Sequence, residues 1–114
     1  MSAFTLEPVT GTVVARADGN VIAETTGALM LREGSYDPVY YFPREDAGME
    51  FLEASATRTR CPHKGEATHY DIELSAGTIA DAAWSYEAPI DAATDLAGRI
   101  AFYADKVVVE HISG

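Results

Sequence analysis

Hydrophobic and polar residues alternate along much of this chain with the two-residue period of a β-strand. The alternation is clearest in residues 67–74, where Tyr70, Ile72 and Leu74 share one face and polar side chains occupy the other. This pattern predicts a strand that is buried on one side. In residues 78–86 the even-numbered positions share one face, and a short turn signal precedes them. We therefore expect two adjacent antiparallel strands.

The first third of the chain predicts four short strands. The turn signal Asp18-Gly19-Asn20 favours a hairpin between the first two of them, and Pro43 ends the fourth because proline has no amide hydrogen to donate. The four predicted strands span residues 12–17, 21–26, 28–33 and 39–42.

The remaining segments are less regular. Residues 49–53 and 57–60 each predict a short strand, and Asp91 can cap a short helix that ends at Leu96, two residues before Gly98. Residues 100–103 and 107–112 then predict a final hairpin that turns about Asp105.

Together these elements predict a mainly β fold. The 114 residues suit a single domain, 1–114, and the 47% hydrophobic content is enough for one packed core. We expect a compact antiparallel β-sheet fold with one or two short helices.

The charge balance argues against two classes of partner. Eight Lys and Arg residues against eighteen Asp and Glu residues give a formal net charge of -10. A chain this acidic repels nucleic acid and anionic membrane surfaces. We therefore expect neither as a partner.

The single cysteine, Cys61, indicates a reducing compartment because it has no partner for an internal disulfide. One cysteine is also too few for a zinc knuckle, so we expect no metal and no cofactor. The N-terminal residues show no signal-peptide pattern, and no stretch approaches the roughly 20 apolar residues of a membrane span. These observations predict a cytoplasmic protein.

Several segments together resemble the DUF427 family, an uncharacterised group of small β domains. They are Tyr-Tyr-Phe-Pro-Arg-Glu-Asp at residues 40–46, Cys-Pro-His-Lys-Gly at residues 61–65, Trp-Ser-Tyr at residues 84–86 and Ala-Phe-Tyr at residues 101–103. The resemblance implies a shape related to Mss4-like, or β-tent, folds. Many β-tent proteins carry zinc on paired Cys-x-x-Cys knuckles, a pattern from which this chain departs. A nucleotidyltransferase activity has no support from any phosphate-binding motif here.

The candidate site residues lie in and around these segments, where turns and aromatic residues meet the few cations of the chain. The candidates are Arg44, Glu45, Asp46, Cys61, His63, Lys64, Trp84 and Tyr86. Each has a structural alternative: the charges can form local ion pairs, Cys61 can pack as a small hydrophobe and the aromatics can fill the core. His69 and His111 are predicted to be surface residues.

Three functions are compatible with these candidates. The favoured one is a domain that binds a small polar or anionic molecule, with Arg44 and Lys64 at the rim of a shared pocket and Trp84 or Tyr86 in its wall. The second is an enzyme that uses Cys61 or the Glu45 and Asp46 carboxylates. The third is a structural or protein-interaction domain without a ligand site. The sequence does not indicate an oligomeric state.

Overall fold

The computed structural model describes residues 3–113, and within that range the chain is mainly β. Three short 3₁₀ helices, Arg44–Asp46, Met49–Phe51 and Asp91–Leu96, interrupt the strands. The ten strands are β1 (Thr5–Pro8), β2 (Thr12–Ala17), β3 (Asn20–Thr25), β4 (Leu29–Arg32), β5 (Val39–Tyr41), β6 (Leu52–Cys61), β7 (Gly65–Leu74), β8 (Gly77–Ser85), β9 (Ala101–Phe102) and β10 (Val108–Ile112). The predicted fold class, antiparallel and mainly β, is confirmed.

The strands form three antiparallel sheets. Two sheets have three strands each, in the orders β1-β4-β5 and β10-β2-β3. The third, which we call the four-stranded sheet, has the order β6-β7-β8-β9 and contains the two longest strands of the described chain.

The local turn signals predicted several elements correctly. β2 and β3 form the expected hairpin, with Ala17 opposite Asn20 and with Asp18 and Gly19 at φ 49° and 78°. Two successive residues with positive φ give a tight turn whose twist suits a β-hairpin. The strands β4, β5, β7 and β8 and the short helix Asp91–Leu96 also lie where they were predicted.

Two predictions about strands are wrong. Residues 49–51 form a 3₁₀ helix instead of the start of a strand, whereas residues 57–60 lie in a strand as predicted, within the longer β6 that begins at Leu52. The final hairpin does not form, because β9 pairs with β8 while β10 pairs with β2 in another sheet. The chain does turn near Asp105, and Phe102 and Val107, on either side of that turn, are buried in the core.

Two groups of buried side chains hold the sheets together. The larger, which we call the first cluster, includes Val13, Ile22, Phe42, Ile72 and Ile100. Removing this much apolar surface from water is the main stabilising contribution to a fold of this size.

The second cluster lies on the other side of the four-stranded sheet. It includes Leu31, Tyr41, Ala67, Tyr86 and Leu96. No helix within residues 3–113 is long and apolar enough to cross a membrane.

Candidate functional site

Arg44 is held by three partners. Its guanidinium donates to Tyr70 Oη at 2.9 Å, to Glu87 Oε2 at 3.0 Å and to the Gly98 carbonyl oxygen at 3.1 Å. Burial lowers the pKa of Arg44, but the Tyr70 and Glu87 contacts outweigh burial and raise it overall. Arg44 also lines an open cavity of about 280 Å³ with Glu45 and Arg99.

Lys64 is buried, with 6% of its surface exposed, at the tip of the β6-β7 hairpin. Its Nζ donates to Glu33 Oε1 at 2.9 Å and lies 3.5 Å from Cys61 Sγ. The same ammonium stands 5.4 Å from the centre of the Phe4 ring. Lys64 therefore joins the hairpin tip to the segment that follows β4.

The two cations lie on opposite faces of the four-stranded sheet. Arg44 binds Tyr70, which packs in the first cluster, whereas Cys61 beside Lys64 packs against the second. Successive side chains of a strand point to opposite faces, so Tyr70 and Ala67 of β7 face opposite sides. The structure therefore does not bring Arg44 and Lys64 together, and Lys64 is not among the residues that line the cavity beside Arg44.

The other candidate residues also lie at several separate places in the structure. Glu45 is exposed, Asp46 accepts a hydrogen bond from the Thr25 hydroxyl at 2.7 Å, and His63 is exposed in the β6-β7 turn. Trp84 and Tyr86 remain together on the second-cluster side of the sheet.

Trp84 is half-buried and Tyr86 is buried. Trp84 Nε1 donates to Tyr41 Oη at 3.2 Å, and burial raises the pKa of Tyr86 to about 12. Burial also raises the pKa of Tyr41. All these phenols are protonated at neutral pH.

A second cavity, also of about 280 Å³, lies on this face, and we call it the His69 cleft. Its walls come from β6, β7, β8 and the turn after β9. The lining residues are Thr57, Thr59, His69, Asp81, Tyr103, Asp105 and Lys106. None of them is among the candidates chosen from the sequence.

Two β-bulges shape this cleft. Between the pairs Ala54 with Tyr70 and Arg58 with Thr68, three residues of β6 lie opposite the single residue His69. Residues 80–82 of β8 likewise lie opposite the single residue Asp71. Bulges bend a strand and redirect its side chains, and they occur often beside functional sites.

Asp81 shows the effect of the second bulge. Its φ is 46°, and its amide donates to Asp71 Oδ1 at 2.8 Å. The two carboxylate oxygens of Asp81 accept hydrogen bonds from the Ser55 and Thr57 hydroxyls at 2.6 and 2.7 Å. These bonds lower the pKa of Asp81, since they favour its charged form. The bulge thus fixes an ionised carboxylate in the cleft.

His69 is the most enclosed residue of the cleft. Only 3% of its surface is exposed, so the prediction of a surface histidine is wrong for His69, whereas His111 is exposed as predicted. Nε2 lies 2.8 Å from Thr59 Oγ1, and Nδ1 lies 3.4 Å from Tyr103 Oη. Burial lowers the pKa of His69, although the Asp81 carboxylate opposes that shift. His69 is therefore a neutral imidazole that lies between the hydroxyls of Thr59 and Tyr103.

The strand pairing explains why these side chains meet. His69 pairs with Trp84, and Trp84 pairs with Ala101, two residues before Tyr103. The Tyr103 ring therefore stacks on His69 at an interplanar angle of 10° and contacts Trp84 with ring centres 4.5 Å apart. Thr59 lies opposite Ala67, two residues before His69, and so reaches His69 diagonally.

Lys106 closes the other side of the cleft. Its Nζ donates to the Ala80 and Asp81 carbonyl oxygens at 2.8 and 3.3 Å and lies 5.8 Å from the centre of the Tyr103 ring. Burial raises the pKa of Tyr103, so its hydroxyl is retained at neutral pH. Within the described residues, no group of three or more His, Cys, Asp or Glu side chains is placed to hold a metal ion.

Comparison with known families matches residues 5–112 to a family described as a domain of unknown function, DUF427. The match covers nearly the whole chain. No protein of curated function was found to match.

Proposed function

Since the chain belongs to the DUF427 family, whose function is unknown, we propose from the site itself that it binds a small polar molecule in the His69 cleft. The observation that carries this proposal is the cavity of about 280 Å³ whose polar groups are already held in place. Pockets that bind small molecules are usually pre-formed and combine apolar walls with a few fixed polar groups.

The fixed geometry supports a binding role. The carboxylate of Asp81 is held by two hydroxyls, and the His69 ring is held through both nitrogens. A pre-organised site loses little conformational entropy when a ligand binds.

The lining also suggests the class of ligand. Asp81 and Asp105 can accept hydrogen bonds, and Lys106 provides a positive charge in the same cavity. The Tyr103 ring offers an apolar wall. These groups fit a small molecule with both donor and acceptor groups, including one with an anionic end that faces Lys106. Lys106 thus takes the role that the sequence suggested for Arg44 and Lys64.

A thermal-shift screen of small polar metabolites tests this proposal with a matched pair of variants. Thr59→Val removes an exposed cleft hydroxyl, while Thr78→Val removes an exposed hydroxyl near the start of β8, outside the cleft. A ligand at 100 times its dissociation constant stabilises a protein by about 2.7 kcal/mol. We expect that stabilisation in the wild type and in Thr78→Val but a much smaller one in Thr59→Val. Equal stabilisation of all three proteins would contradict the cleft as the binding site.

The remaining sequence predictions stay predictions. They are a single domain over residues 1–114, the β-tent likeness, the cytoplasmic location, the absence of nucleic-acid and membrane partners, and enzymatic use of Cys61 or of Glu45 and Asp46.

A further inference from the structure

We propose that the His69 cleft also catalyses acyl transfer, with Thr59 as the nucleophile and His69 as the general base. This inference rests on the proposed function, because the acyl donor is a ligand of the same cleft. The substrate class is a small polar ester or another activated acyl compound.

The proposal starts from the placement of the two residues. Thr59 is exposed, while His69 lies behind it with only 3% of its surface accessible. Thr59 Oγ1 and His69 Nε2 are 2.8 Å apart. A substrate in the cleft can therefore reach the hydroxyl, and the base that would deprotonate this hydroxyl is already in contact with it.

A third residue orients the base. Tyr103 Oη lies 3.4 Å from His69 Nδ1, and the two rings are stacked. In the tautomer that carries hydrogen on Nδ1, His69 donates to Tyr103 and Nε2 is free to accept the Thr59 proton. A nucleophile in contact with a base that a third group orients is the arrangement required for covalent catalysis.

The charges around His69 suit this role. The lowered pKa of His69 keeps the ring neutral, and therefore able to accept a proton, at pH 7. When His69 takes the proton, the Asp81 carboxylate favours the imidazolium, while the Arg58 and Lys106 charges oppose it. Lys106 lines the same cavity and is the cation available to the oxygen that becomes negative during attack.

The reaction proceeds in two steps. Thr59 Oγ1 forms a bond to the acyl carbon, the bond from that carbon to the leaving oxygen breaks, and the Thr59 proton passes through His69 Nε2 to the leaving alcohol. Water then attacks the acyl-threonine and gives one proton to Nε2, which returns it to Thr59 Oγ1. The products are a carboxylic acid and an alcohol, and the protein is regenerated.

The test uses p-nitrophenyl acetate and the full chain. Release of p-nitrophenol measures the rate, and peptide mass spectrometry locates any acetyl group. We expect acetyl on Thr59 in the wild type and in Thr78→Val, none at that position in Thr59→Val, and retention of acylation in Thr59→Ser. His69→Gln should lower the rate by about 100-fold or more. The wild-type rate should rise with pH through a pKa below the ordinary histidine value of about 6.5.

Acetyl groups found only on lysines or on the N-terminus would overturn the proposal, as would a wild-type rate in Thr59→Val. Thermal unfolding of each variant shows whether it is folded. If the variant of the buried His69 does not fold, the variants of the exposed Thr59 still test the proposal. If the cleft binds ligands but Thr59 is never acylated, this inference fails while the proposed function stands. If neither binding nor acylation occurs, both fail.

Discussion

At the scale of the residue, His69 combines burial with two polar contacts. Its lowered pKa means that the unfolded chain binds a proton more readily than the folded chain does. The contribution of His69 to the free energy of unfolding is therefore fully present above the unfolded-state pKa of about 6.5. It is lost as the pH falls through the lower pKa of the folded state. Asp81 also has a lowered pKa, but its contribution is lost only below the unfolded-state value of about 3.9.

We predict that the free energy of unfolding falls as the pH is lowered below about 6.5, with a His69 contribution of at most about 1.4 kcal/mol per pH unit. Urea denaturation at a series of pH values measures this slope. In His69→Gln the slope should flatten in that pH range, since glutamine does not titrate. An equally steep decline in the variant would show that His69 is not the group responsible.

Asp81 contributes both a backbone conformation and a carboxylate. Asp81→Ala should lower the free energy of unfolding, because two hydroxyls lose their acceptor and alanine tolerates a φ of 46° poorly. Asp81→Asn should cost less, since asparagine adopts this conformation more readily and keeps one acceptor oxygen. Chemical denaturation measures both, and Asp95→Ala, at an exposed position, serves as the control with a change within about 0.5 kcal/mol.

At the scale of the element, local signals predicted strands well and pairings less well. The Asp18-Gly19 turn determines its own hairpin, because the conformation of two residues sets the register of the adjacent strands. No local signal shows that β10 joins β2 at the other end of the chain. The bulges opposite His69 and Asp71 were also not predictable, since they depend on how neighbouring strands pack.

Gly48 shows how a single residue fits two elements together. It follows the helix Arg44–Asp46 at φ 59°, and a Cβ at this position would overlap the Ile22 carbonyl oxygen of β3. Gly19 has a similar positive φ of 78°, but a Cβ there would meet no atom of residues 3–113 within 4 Å. A substitution at Gly19 therefore measures backbone strain alone, whereas one at Gly48 measures backbone strain together with steric overlap.

We predict that Gly19→Ala costs about 1 to 2 kcal/mol, the cost of a left-handed residue with a side chain. Gly48→Ala should cost about 3 kcal/mol or more, since overpacking is added to that strain. Differential scanning calorimetry on the two variants provides the comparison. Similar losses in both would mean that the β3 contact is readily relieved.

At the scale of the whole molecule, the scarcity of cations misled the sequence interpretation. In a chain with a net charge of -10, both Arg44 and Lys64 find carboxylate partners, Glu87 and Glu33. The turns that carry Arg44 and Lys64 place each of them in its own ion pair, and the two pairs lie on opposite faces of the four-stranded sheet. The aromatic residues Trp84 and Tyr86 were correctly placed together on one face, yet the cleft itself arises from long-range pairing around His69.

The Lys64–Glu33 pair joins the β6-β7 turn to the segment that follows β4, and a double-mutant cycle measures that interaction. Glu33→Gln should cost about 2 kcal/mol because it leaves the buried ammonium without a negative partner. Lys64→Met keeps an apolar stem in the same space. We expect the double variant to be more stable than the sum of the single effects predicts, by about 1 kcal/mol. Strict additivity would show that the two side chains do not interact energetically.

The most direct test of the His69 cleft as the ligand site is a two-dimensional NMR titration with the compound that most stabilises the protein in the metabolite screen. We predict that the largest chemical-shift changes fall on the amides of Thr57, Thr59, His69, Asp81 and Tyr103. Changes confined to the cavity beside Arg44 and Arg99, or to the surroundings of Lys64 and Glu33, would contradict the account.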